Sequence, residues 1–262
     1  MKKFSILLPC FNGEKYLEQA IQSVLDQDYE NWELLIIDRK SMDSSHEIID
    51  RYSKLDERII WLQYKDSGLS NALNYALDHV GGDIIGYLGF DDYYQKGIFK
   101  KINDFLKRRK DFSWVYGNSY NIYPKDGSRI FVKPGLFSYN ALFLGGAVGL
   151  QNVFFDKEIL KLYKFDENNK YSMDFELWFR IFRKYNPLYI DEVISYNIQR
   201  EDNISSKTRE KGMPGRIEVE NIVKKYAKTS FQKFLVLIRK FPALRKIFLR
   251  VYKIISTTLI IS

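Results

Sequence analysis

The sequence predicts an α/β fold, a mostly parallel central sheet flanked by helices, carrying a basic helical tail at its C-terminal end. Three observations predict it. Short apolar runs alternate with amphipathic stretches of about ten to fifteen residues, and strands so spaced are joined by right-handed crossovers into a parallel sheet. Hydrophobic residues make up 45% of the 262 positions and aromatic residues 16%, enough to bury a large core. The net charge of +8 is uneven: residues 1–206 carry −3 and the remainder +11.

The elements follow in order. "KFSILLP" (2–8 with Pro9) is apolar and β-rich, and "GEKYLEQAIQSVLDQ" (13–27) sets Leu17, Ala20, Ile21, Val24 and Leu25 at helical spacing. "WELLIID" (32–38) reads as a second buried strand. "SSHEIIDRY" gives way to "RIIWLQY", and "GLSNALNYALDHV" to "DIIGYLGF", repeating the helix-then-strand rhythm. Beyond residue 110 that rhythm changes. Residues 112–132 predict a hairpin around Pro124 to Gly127, 171–185 a helix with an apolar stripe, and "PLYIDEVISYNI" another strand.

From Lys207 the sequence predicts a helical tail. After Pro242, Lys246, Arg250 and Lys253 share one helix face, with apolar residues around the rest of the wheel. Its apolar end is shorter than the roughly 20 residues of a spanning helix, so the tail is expected to lie on an anionic membrane surface. Basic residues interleaved with Phe, Leu and Ile suit a lipid interface better than a groove for nucleic acid, so no nucleic-acid partner is expected. Cys10 is the single cysteine, which excludes an intramolecular disulfide and fits a reducing, cytoplasmic setting. The opening apolar run is too short for a signal-peptide core and reads as a first strand.

The chemistry points to "IIGYLGFDDYY" (84–94), where a buried strand stops at two adjacent carboxylates, Asp91 and Asp92. Ligands of open parallel sheets bind beyond the carboxyl ends of the strands. Asp38 and the Pro9 to Asn12 segment end two other strands, so one crevice could gather all of them. Paired carboxylates there suit Mg²⁺ or Mn²⁺ carrying a diphosphate. Adjacent aspartates after a strand also serve as turn formers and helix caps, and the dipeptide alone does not separate the two uses.

Four segments in order resemble the family 2 inverting glycosyltransferases of the GT-A fold that build bacterial surface polysaccharides: "SILLPCFNGEKYLEQAIQSVLDQDYENWELLIID", "KDSGLSNALNYALDHVGGDIIGYLGFDD", "GLQNVFFDKEIL" and "FDENNKYSMDFELWFRI". The resemblance implies a GT-A domain over 1–206, with a nucleotide-binding half (1–110) and an acceptor-binding half (111–206), before the tail at 207–262. It implies a nucleoside-diphosphate sugar donor held by Pro9, Phe11, Asp38, Arg39, Asn71 and Asp91. It makes Asp91 and Asp92 ligands of Mn²⁺ or Mg²⁺, Gln151 and Glu176 acceptor-side residues, and Asp174 the catalytic base. The acceptor it implies is a saccharide or lipid-linked saccharide, met at the inner face of the cell membrane.

The chain also departs from the family pattern. Arg39 stands where an aspartate commonly accepts from the uracil ring N–H, and a guanidinium has no acceptor to offer, so an altered donor site is expected. Asn71, Gly89 and Asn118 replace frequent acids, and "SYNIQREDNIS" has Gln199 and Arg200 in place of a histidine. Two other readings stand beside the first: a metal-dependent nucleotidyltransferase, for which "PCFNGEKY" offers only Gly13 and Lys15, and a catalytically silent binding protein.

Overall fold

The computed structural model describes residues 1–65, 68–109, 112–135, 137–200 and 212–258, of which 251–258 are described in backbone alone. The first strands are β1 (Phe4–Cys10) and β2 (Trp32–Asp38), buried along all seven residues each, as strands covered on both faces should be. They pair in parallel with each other, β2 pairs with β3 (Ile59–Gln63), and β1 pairs with β4 (Ile84–Tyr87). Between them run α1 (Leu17–Leu25), α2 (Ser45–Leu55) and α3 (Leu69–Leu77). Each helix buries one stripe, Leu17, Ala20, Ile21 and Val24 in α1 and Ala72, Leu73, Ala76 and Leu77 in α3.

Beyond β4 the sheet becomes mixed. The hairpin forms from β6 (Trp114–Tyr123) and β7 (Ser128–Val132), with Gly127 taking the left-handed backbone (φ 71°) that the turn requires. The short β5 (Tyr93–Tyr94) precedes α4 (Ile98–Lys107), and α5 (Tyr139–Phe143) and a 3₁₀ turn over Leu150–Asn152 lead into β8 (Val153–Asp156). β8 lies antiparallel between β4 and β6, and β9 (Leu188–Ile198) runs parallel to β6. The strand order is β3-β2-β1-β4-β8-β6-β9-β5, with β7 on β6. Helices α6 (Lys157–Tyr163) and α7 (Met173–Ile181) complete this half.

Alternation along β1 sends Phe4, Ile6 and Leu8 to one core and Leu7 to the other, so the sheet separates two packed layers. The larger layer holds Trp114 and Trp178 stacked with centroids 5.1 Å apart.

The expected boundary at 206/207 lies outside the described residues. Past it, α8 (Pro214–Tyr226) and α9 (Ser230–Ile238) are not a separable appendage, because Val219, Ile222, Val223, Tyr226, Leu235 and Ile238 belong to the same core as Trp178. The sequence predicts a helical tail here; α8 spends Val219, Ile222, Val223 and Tyr226 on the body, and α9 spends Leu235 and Ile238 while leaving Phe231, Phe234 and Leu237 exposed. α10 (Pro242–Thr258) follows. Among the described residues no helix is long and apolar enough to cross a membrane.

Candidate functional site

The carboxyl end of β1 runs into Phe11 and Asn12, and Asn12 takes a left-handed φ of 51°, a conformation its short polar side chain tolerates. Hydrogen bonds tie this loop to the one after β2: Asn12 N–H donates to Ser41 Oγ (2.9 Å), Gly13 N–H to Ser45 Oγ (2.8 Å), and Met42 N–H to Asn12 Oδ1 (2.9 Å). Arg39 N–H donates to the Cys10 carbonyl (3.0 Å), which sets the guanidinium 5.5 Å from the centre of the Phe11 ring. Asp38 is buried and accepts from Ser41 N–H (3.0 Å) and Ser41 Oγ–H (2.8 Å), so its described bonds shape the turn.

After β4 the chain turns at Gly89–Asp92, closed by Asp92 N–H donating to the Gly89 carbonyl (3.0 Å). The acid pair caps no helix, since α4 begins only at Ile98 behind Gly97. Ile198 N–H donates to Asp92 Oδ1 (2.9 Å), and Arg200 Nε lies 3.0 Å from Asp91 Oδ2. The other two oxygens turn toward Gly89: a Cβ there would lie 3.1 Å from both Asp91 Oδ1 and Asp92 Oδ2. Burial, and then the charge of Asp91, push the Asp92 carboxyl well above the usual carboxylate range. The donor set is therefore two hard carboxylates around a space that a side chain at 89 would fill. Among the described residues no cluster of three or more His, Cys, Asp or Glu is placed to hold a metal.

Asp174 lies in the first turn of α7, where its Oδ1 accepts from Phe175 N–H (2.7 Å). Burial raises its carboxyl to about 6, with a smaller push from the Glu218 charge. Glu218 of α8 also holds the loop in front of it, accepting from the N–H groups of Lys170 (2.9 Å), Tyr171 (3.0 Å) and Ser172 (2.7 Å).

One cavity of about 890 Å³ is lined by Asp91, Asp92 and Asp174 together, and by Pro9, Phe11, Arg39 and Gln151. Tyr87, which also lines the cavity, is within the field of all three acids: its phenol is pushed up first by burial and then by the charges of Asp92, Asp91 and Asp174. Asp38, Asn71 and Glu176 do not line that cavity. Asn71 donates to Glu167, outside it. Glu176 corrects the acceptor-side expectation. It is two residues past Asp174, which on a helix is nearly the opposite face. There it is 1% exposed, accepting from Arg180 Nε (2.7 Å) and from the Tyr226 hydroxyl.

Sequence reasoning missed one group of lining residues, Arg216, Arg239 and Arg245, all from the C-terminal helices and their junctions. Their spacing gave only a basic helical pattern, with nothing to say that they turn inward.

A family model described as glycosyl transferase family 2 matches residues 5–172. The chain is 31% identical over 160 residues to the putative teichuronic acid biosynthesis glycosyltransferase TuaG of Bacillus subtilis (strain 168), covering 59% of this chain and 62% of TuaG. It is 30% identical over 203 residues to the uncharacterized glycosyltransferase RT0329 of Rickettsia typhi, covering 72% and 62%. The chain thus matches about three fifths of the length of these two relatives. It is 31% identical over 183 residues to the UDP-Glc:alpha-D-GlcNAc-diphosphoundecaprenol beta-1,3-glucosyltransferase WfgD of Escherichia coli, covering 70% of each. Among solved structures, S. aureus TarS 1-349 in complex with UDP-GlcNAc aligns with a TM-score of 0.73 at 17% identity, over 91% of this chain and 72% of that one. The mannosyltransferase PcManGT from Pyrobaculum calidifontis, in complex with GDP-Man and Mn2+, aligns at 0.62 and 16% identity, over 91% and 69%. At these identities the structural likeness speaks for the fold, and the expected α/β fold of GT-A type is the one the chain has.

Proposed function

The chain belongs to glycosyl transferase family 2, and from that premise we propose that it moves a sugar, with inversion, from a nucleoside-diphosphate sugar to a saccharide or lipid-linked saccharide in surface polysaccharide synthesis. The observation that carries this reading is that Asp174 opens into the same cavity as Asp91 and Asp92. In this reading the acceptor hydroxyl attacks the anomeric carbon while its proton passes to the Asp174 carboxylate. The bond from that carbon to the diphosphate oxygen breaks on the opposite face, and the nucleoside diphosphate leaves with the electron pair. Pro9, Phe11 and Arg39 hold the base and ribose side, with Arg39 setting which base is accepted. Gln151 lines the acceptor side.

Asp91 and Asp92 would hold Mn²⁺ or Mg²⁺, and their convergence on Gly89 fits that use. Two carboxylates are an ordinary protein share for such an ion when substrate phosphate and water supply the rest. A divalent ion supplies charge stabilisation to the departing diphosphate. Arg200, beside Asp91, moderates the repulsion within the pair and faces the phosphates.

The same reading places the protein on the inner face of the membrane. α9, α10 and their junction expose Phe231, Phe234, Leu237, Phe241, Leu244 and Ile247, flanked by the exposed Lys233, Lys240 and Lys246. Apolar residues rimmed with lysine suit an anionic lipid surface. The bound acceptor of a relative such as WfgD, a diphosphoundecaprenol, would be met there.

A thermal-shift panel of nucleoside diphosphates and their sugars with Mn²⁺ tests the assignment, since a ligand of the folded form raises its melting temperature. A nucleotide-dependent shift that Asp92→Asn abolishes is expected, together with sugar transfer that Asp174→Asn abolishes. Transfer that survives Asp174→Asn would refute the assignment of the base.

A further inference from the structure

Arg216, Arg239 and Arg245 come from three separate places in the C-terminal helices, yet all three line the cavity that holds Asp174. A Cβ on Gly145, which has a left-handed φ of 79°, would lie 3.2 Å from Arg245 Nη2 and 3.6 Å from Arg239 Cζ, so both guanidiniums crowd one point of backbone. Arg239 Cζ also lies 5.8 Å from the centre of the Phe175 ring, the residue next to Asp174. The described hydrogen bonds do little to satisfy these groups. Among the described residues Arg239 Nε and Nη1 are buried with no hydrogen-bond partner, Arg245 Nη2 reaches the Gly145 carbonyl at 3.5 Å, and Arg216 Nε lies 3.3 Å from Glu220 Oε1.

Such an arrangement is costly without a counter-ion. A buried donor left unmade loses its hydration with nothing in return, and each guanidinium sits in the field of its neighbours. The strain registers in Arg239, whose guanidinium is brought down to about 10 by burial and then by the charges of Arg216 and Arg245. Planar guanidinium forks match the oxygens of phosphate and diphosphate groups. The apolar row from Phe231 to Ile247 is exposed on α9, α10 and their junction, which also carry Arg239 and Arg245, so a molecule with a phosphate head and an apolar chain would find both features on these two helices.

We propose that Arg216, Arg239 and Arg245 form an anion site that binds a phosphate or diphosphate group carried by the acceptor. This deepens the glycosyltransferase reading and rests on it for the word acceptor. The binding of the anion itself stands on the cavity and the three arginines. The diphosphate of the donor is served instead by the acid pair with Arg200.

Titration calorimetry of the full chain with inorganic pyrophosphate tests it, in EDTA so that no metal carries the probe to Asp91 and Asp92. Wild type is expected to bind. Arg239→Gln and Arg245→Gln should each weaken binding at least about tenfold, the scale of a charged hydrogen bond. Unchanged affinity in both Arg239→Gln and Arg245→Gln, or no binding by wild type, would overturn the proposal. Farnesyl diphosphate serves as the second probe. Tighter binding than pyrophosphate, lost in Arg239→Gln, assigns the site to a lipid-borne diphosphate; equal binding, likewise lost, assigns it to the diphosphate alone. Removing one of three like charges should leave the anion-free melting temperature no lower than in wild type, and Arg245→Gln covers the case in which Arg239→Gln does not fold. Failure of the glycosyltransferase reading would show separately, as no nucleoside diphosphate binding with Mn²⁺ by the wild type.

Discussion

Arg200 Nε stands 3.0 Å from Oδ2 of Asp91, which joins the segment after β9 to the turn after β4. The two side chains are only 21% and 13% exposed, so the pair is shielded from water and salt. Arg200→Ala leaves two adjacent acids without that charge. The variant is expected to lose roughly 1–3 kcal/mol of stability in EDTA, between the values of exposed and fully buried pairs. Urea denaturation should show a smaller loss with Mn²⁺, because an ion at the acids replaces the missing charge.

Gly89 marks the point on which the acid pair converges. A methyl group there would lie 3.1 Å from an oxygen of each carboxylate and must push at least one aside. Gly89→Ala is expected to weaken Mn²⁺-dependent nucleotide binding about tenfold or more, while stability changes by less than about 1 kcal/mol. Calorimetry and a melting curve on the same sample separate the two effects.

The pH dependence follows from Asp174, whose carboxyl is raised to about 6. A base must be ionised, so the rate of transfer is expected to climb as pH rises through 6 and then level off. Stability runs the other way. An unfolded aspartate ionises near 4, so the folded state bears the cost of the buried charge increasingly as pH rises from about 4 to about 6, on the order of 2 kcal/mol. Asp174→Asn should therefore melt higher than wild type at pH 8 and close to it at pH 4, while losing the transfer that wild type shows at pH 8.

Glu218 reaches from α8 to hold three backbone N–H groups in front of α7, and its charge is one cause of the high Asp174 value. Glu218→Gln weakens both influences. A stability loss of about 1–2 kcal/mol is expected. The rising limb of the pH–rate profile should also move to lower pH, because a neighbouring negative charge is gone. A profile that stays in place would mean that Glu218 acts on the loop alone.

Arg39 faces the pocket formed by Phe11 and the β1 loop. A carboxylate there could accept from the uracil ring N–H, which a guanidinium does not. Arg39→Asp is expected to raise UDP affinity about tenfold, the scale of one charged hydrogen bond, as measured by titration with Mn²⁺. A drop in affinity would show that the site with Arg39 already accepts uracil and that the arginine does not select against it.

Much of the site is legible in the sequence, for a definite reason. Pro9 lies at the end of an apolar run that reads as a strand, Phe11, Arg39, Asp91 and Asp92 follow such runs, and a parallel sheet brings strand ends to one edge. Asp174 and Gln151 are legible only through the motifs around them. The failures share another cause. Glu176 sits in the same motif as Asp174, but a motif does not say which face of a helix looks into the cavity; the helical repeat does, and it places Glu176 behind. The pairing of β8 between β4 and β6 joins residues far apart in the chain, which no local pattern encodes. The arginines of the tail were visible as charge, and their destination depended on the packing of Val219, Val223 and Leu235 against the body.

The bond from the Tyr226 hydroxyl to Glu176, with the Tyr226 ring stacked 4.8 Å from Phe179, fastens the rear of α7 to a residue made much later in synthesis. During translation the segment bearing Asp174 must therefore wait, its back uncovered, until α8 clears the ribosome. A nascent chain halted between the two would leave the Phe179 ring without the Tyr226 ring that stacks on it and the buried Glu176 carboxylate without the Tyr226 hydroxyl.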